Sequence, residues 1–92
     1  MPTVEFARHL HRFFPILEKG PLEVEGETAL EIVQALERLV PGLAGYIVTE
    51  QGSLRIHVNM FIGDQMIVDR ERLTDKVPTS ARVSIFQALS GG

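Results

Sequence analysis

The chain has 92 residues, of which 45% are hydrophobic and 23% charged; it contains no Cys and carries a formal net charge of −3. One core in one domain is what this length supports, and the composition is that of a globular protein. The missing Cys excludes disulfides, thiolate metal sites and a cysteine nucleophile, while the net negative charge gives no overall attraction for nucleic acid.

No apolar run approaches the ~20 residues needed to cross a bilayer. Residues 1–15 interleave Glu5, Arg8, His9, His11 and Arg12 with apolar positions, unlike a secretory signal. A cytoplasmic protein with no membrane association is therefore expected.

Thr3-Val4-Glu5-Phe6 alternates apolar with polar residues and predicts a half-buried strand, as does Leu22-Glu23-Val24-Glu25. Pro15, Gly20 and Pro21 punctuate the segment between them. Thr28-Ala29-Leu30-Glu31 has the spacing of a capping box. Behind it Ala29, Ile32, Val33, Leu36, Val40 and Leu43 form one apolar stripe at helical period, and Pro41-Gly42 ends the helix near Val40. Tyr46-Ile47-Val48-Thr49 and Leu54-Arg55-Ile56-His57-Val58 read as strands around a Gln51-Gly52 turn. Asn59-Met60-Phe61-Ile62 continues the second run, with Met60 and Ile62 assigned to the core. Gly63-Asp64 supplies a turn before Gln65-Met66-Ile67-Val68. A polar loop, Asp69 to Ser80, leads into a last strand at Arg82-Val83-Ser84-Ile85-Phe86.

The order strand, strand, helix, strand, short strand, strand describes an α+β sandwich in which one main helix covers one face of a mixed sheet. With the first and last strands parallel and adjacent, this is a β-grasp, ubiquitin-like fold. A ferredoxin-like fold needs a second helix in Asp69–Ser80, where Pro78 and few apolar residues argue against it. Residues 1–92 are read as a single domain, with 89–92 expected to form a flexible Gly-Gly tail.

A frayed chain end also tolerates glycine. The functional reading of Gly91-Gly92 is that a tail without Cβ atoms can thread a narrow slot and present its carboxylate inside another protein. That carboxylate is ionised at neutral pH and can attack the α-phosphate of ATP. The mixed anhydride so formed accepts sulfur to give a thiocarboxylate, or an amine to give an amide.

Phe61-Ile62-Gly63-Asp64, the capped helix, His57-Val58-Asn59-Met60-Phe61 and the final run from Val83 to Gly92 together resemble the MoaD/ThiS family of ubiquitin-like sulfur carriers, in particular its longer MoaD-like members. The resemblance spans Glu23 to Gly92, and Gly63-Asp64-Gln65 departs from the Asn-Gly-Glu-like turn frequent there. It implies that Gly92 is adenylated by a ubiquitin-activating-type adenylyltransferase using ATP. A sulfur donor then converts it to a thiocarboxylate, and the tail delivers sulfur to an acceptor such as the large subunit of molybdopterin synthase. The chain would be a carrier and small subunit rather than an enzyme, with no permanently bound cofactor. Other branches serve thiamine, cysteine or tRNA thiolation, or attach to lysines as modifiers.

Phe86, Leu89, Ser90 and Gly91 are the candidate partner contacts around Gly92; packing of Phe86 beneath the Arg8–Lys19 segment is the equal alternative. His9 and His11, with His57, are the only histidines, and nothing in the sequence fixes His57 near the other two, so no metal site is expected. Arg8, His9, His11 and Arg12 form a basic patch suited to steering towards an acidic partner. RNA contact is disfavoured by the single Tyr and absent Trp. No nucleophilic triad, phosphate-cradling glycine loop or dinucleotide fingerprint is present.

Overall fold

A computed structural model describes residues 1–87, the His9 side chain excepted. Its centre is a five-stranded mixed sheet of β1 (Thr3–Phe6), β2 (Leu22–Glu23), β3 (Val58–Ile62), β4 (Gln65–Met66) and β5 (Arg82–Gln87), in the order β2-β1-β5-β3-β4. β1 and β5 are parallel, with Val4 opposite Val83 and Phe6 opposite Ile85; the other pairings are antiparallel. With α1 (Ala29–Leu39) over one face, this is the β-grasp fold.

The period-two pattern decides which face α1 covers. Val4, Met60, Val83 and Ile85 are fully buried and share the covered face, together with Ile32 and Leu36 of α1. The whole predicted stripe of Ala29, Ile32, Val33, Leu36, Val40 and Leu43 is buried. No polar or charged side chain of the described residues is buried.

Thr28 caps α1 by accepting the Glu31 amide at 3.2 Å. The Glu31 carboxylate returns one residue further than a standard box and accepts the Glu27 amide at 2.8 Å. The Asp69–Ser80 loop completes the cap, since Ala29 and Leu30 donate their amides to the Asp75 and Leu73 carbonyls, both at 2.9 Å. Two helix N–H groups that would otherwise lack partners are satisfied in this way. No helix forms in that loop.

Four local expectations need correction. Tyr46–Thr49 is not a strand: Ala44–Ile47 is a helical turn, α2, and only Val48 makes a bridge, to Leu54. Leu43 and Ile47, four residues apart and both fully buried, extend the α1 stripe past Pro41-Gly42, so helical spacing outweighs β-propensity. Leu54–Val58 is a bridge followed by a turn, and the strand starts only at Val58. Arg70 explains the break, because its Nη2 donates to the Arg55 and Val58 carbonyls at 2.8 Å and holds that turn off the ladder.

The strand predicted at Leu22–Glu25 stops at Glu23, although Val24 is buried and donates its amide to the Pro2 carbonyl at 3.1 Å. The run Gln65–Val68 likewise pairs only over Gln65–Met66, and the segment after β1, which received no element from the sequence, forms two 3-10 helices, Arg8–Arg12 and Pro15–Lys19. Each is pinned by one buried leucine, Leu10 and Leu17, and Pro15 starts the second where its missing N–H costs nothing.

Candidate functional site

β5 is the central strand, hydrogen-bonded on both edges, and it leads directly to the residues that carry the predicted chemistry. Leu89, Ser90, Gly91 and Gly92 lie outside the described residues. Phe86, the fifth candidate, lies one residue before the end of β5.

On the face that α1 leaves open, β5 presents Arg82, Ser84 and Phe86, β3 presents Asn59 and Phe61, and β4 presents Met66 opposite Phe61. The Phe61 and Phe86 ring centroids are 6.2 Å apart at 74°, an edge-to-face pair. Phe86 is 45% exposed and Met66 50%, which makes an apolar patch at the β3–β4 side of the sheet. Towards β1 the same face turns polar, and Arg82 pairs with Glu5 at 3.6 Å. Phe86 therefore sits with Phe61 on the open face rather than beneath Arg8–Lys19, so the buried alternative does not hold.

Around the sheet, carboxylates act on backbone rather than on a reaction centre. Glu37 accepts the Gly42 and Ala44 amides at 2.9 Å, binding α1 to α2, and these bonds hold its carboxyl below the ordinary value. Asp69 accepts the Thr74 hydroxyl and the Glu71, Arg72 and Thr74 amides. Its pKa is lowered first by the Thr74 hydroxyl and then by the Arg72 amide. Both groups are ionised buttresses of loops.

Among the described residues no cluster of three or more His, Cys, Asp or Glu side chains is placed to hold a metal ion. No helix among them is long and apolar enough to cross a membrane. His11 lies in the first 3-10 helix and His57 in the turn before β3. The side chains of Arg8, His11 and Arg12 do come together, with Glu18, around an open depression of about 890 Å³.

No family model and no curated protein matches the chain. Solved structures do. The structure of the Amycolatopsis orientalis BexX/CysO complex contains a chain that superposes with a TM-score of 0.85 and 25% identity, covering 100% of both chains. Mycobacterium tuberculosis CysO gives a TM-score of 0.82 at 20% identity over 97% of this chain and 100% of its own. The small archaeal modifier protein 1 of Methanosarcina acetivorans gives 0.73 at 22% identity over 99% and 95%. End-to-end coverage at this similarity makes the fold theirs.

Proposed function

We propose that this chain is a sulfur-carrier protein that works through its last residue, Gly92. The Gly92 carboxylate oxygen attacks the α-phosphorus of ATP in an adenylyltransferase of the ubiquitin-activating type, forming an acyl-adenylate and releasing pyrophosphate. A sulfur nucleophile at the sulfide oxidation level, provided by a donor, then attacks the carbonyl carbon and AMP leaves. The thiocarboxylate is the cargo, and the body of the fold serves as its handle.

The observation that carries this reading is the position of β5. A strand locked between β1 and β3 gives residues 88–92 a fixed origin in the middle of the sheet, and Gly91-Gly92 lies only four residues beyond Gln87. The Phe61–Phe86–Met66 patch beside that origin has the apolar character of an interface centre and suits a partner that takes up the tail. The end-to-end likeness to CysO, which is seen in a complex with BexX, supports a carrier that works against a partner enzyme. Molybdopterin synthesis is the acceptor pathway implied by the MoaD-like residues; the structural likenesses support the carrier and are neutral on that acceptor.

The test is intact mass of the chain after incubation with an activating enzyme, ATP and sulfide. Exchange of one oxygen for sulfur at Gly92 is expected, and persistence of the unmodified mass with an active enzyme overturns the proposal. A second reading, conjugation of Gly92 to lysines as a protein modifier, is favoured by the likeness to small archaeal modifier protein 1. It predicts adducts stable to thiol reagents and lost on deletion of Gly91-Gly92. Lys19 and Lys76 are the only self-acceptors available.

A further inference from the structure

We infer that Arg8 and Arg12, with His11 between them, form a docking surface for an acidic patch on the protein that adenylates the tail. The inference rests on the carrier reading for the identity of that protein, but the surface itself follows from the fold.

Parallel pairing of β1 with β5 places the first 3-10 helix at the end of the sheet where β5 finishes. The Ala7 amide donates to the Ile85 carbonyl at 3.0 Å, so Arg8 begins level with the last residues of β5. Leu10 and Leu17, both buried, fasten the two 3-10 helices to the core and hold this corner in place. Among the described residues neither Arg8 nor Arg12 has an ion-pair or hydrogen-bond partner, whereas Arg82 is paired with Glu5. Two free guanidinium groups on one open depression, which among the described residues is otherwise lined by His11 and Glu18, are arranged for a partner's charge rather than for internal stability.

The rest of the molecule sharpens the effect. The chain carries 12 acidic against 9 Lys and Arg residues, so an acidic surface is repelled on average and attracted at this corner, which orients its approach towards the root of the tail. Arg12 is followed directly by Phe13, which is 56% exposed and stacks on Tyr46 at 5.4 Å and 28°; Tyr46 is itself 40% exposed. Nucleic acid fits less well, since binding it takes many phosphate contacts along a strand and this patch offers only two arginines.

The experiment measures Kd between the full chain and the purified adenylyltransferase by calorimetry across a salt series. The chain lacking Gly91-Gly92 and the Arg8→Glu/Arg12→Glu, Arg8→Gln/Arg12→Gln and Arg8→Lys/Arg12→Lys pairs are measured beside it. Charge reversal is expected to weaken binding about 10-fold or more and to invert its salt dependence, the Gln pair to weaken binding less and to flatten that dependence, and the Lys pair to stay close to wild type. The tail-deleted chain is expected to keep a salt-sensitive share of the affinity. Unchanged Kd on charge reversal overturns the inference alone, as does a charge-reversal defect confined to binding of a single-stranded RNA. Tight, salt-sensitive binding without adenylation of Gly92 supports the docking surface and overturns the carrier chemistry, and absence of binding by the wild-type chain overturns both.

Discussion

Gly26 has no room for a side chain. A Cβ there would stand 2.9 Å from Ile32 Cδ1, 3.0 Å from the Ile32 nitrogen and 3.1 Å from the Glu31 carbonyl carbon, and two of those three neighbours are backbone. Gly26→Ala is expected to push the first turn of α1 outwards and to cost about 1–3 kcal/mol in urea unfolding. Thr28→Ala, which removes only the acceptor for the Glu31 amide, is expected to cost about 1 kcal/mol with the same fold retained. Leu73 is stranger, being fully buried at a φ of +57°. Truncating it to Ala is expected to cost about 2–5 kcal/mol. Leu73→Gly is expected to cost no more than Leu73→Ala, reversing the usual order, because the left-handed backbone penalises any residue with a Cβ by about 1–2 kcal/mol. The Thr28 cap was readable from four adjacent letters. Gly26 and Leu73 were not: Gly26 is constrained by how the chain folds back against the first turn of α1, and Leu73 by a loop that meets α1 only in the folded protein.

At the scale of elements, two carboxylates hold the irregular parts together. Glu37 joins α1 to α2, and Asp69 ties the loop that caps α1. Both have pKa values below their ordinary ones in the folded protein, so each stabilises the fold when ionised, above its unfolded pKa, and that contribution is lost as pH falls. Melting temperature is therefore expected to drop as pH falls from about 5 to 3, and to do so less in Glu37→Gln and Asp69→Asn, which begin less stable at neutral pH. The hydrophobic periodicity of β1, α1, β3 and β5 was legible because each buries one regular face. The 3-10 helices and α2 were hidden because a single buried leucine or isoleucine per turn leaves too short a period to detect. Even so, the step from Leu43 to Ile47 was a usable signal for α2.

For the molecule as a whole, the two faces of the sheet do different work. Leu36→Ala, on the covered side, is expected to cost about 2–5 kcal/mol. Phe86→Ala, on the open side, is expected to cost no more than about 1.5 kcal/mol through the lost Phe61 pair, and the proposed carrier role predicts a larger loss of partner affinity. Thermal melts and a partner titration on the same samples separate the two. Alternation alone separated Val83 and Ile85 from Phe86, but it left open whether Phe86 was covered, because period two says which residues share a side and not what lies over it.

The central position of β5 also has a consequence for biosynthesis. Within the sheet, β1 with β2 and β3 with β4 are joined only through it, so the sheet cannot be completed until residues 82–87 have been made. Joining residues 3–6 to 82–85 closes nearly the entire polypeptide into one loop, which makes this a late and slow step. A product that lacks this keystone strand leaves the two halves of the sheet unjoined, so the scaffold matures only with its last strand.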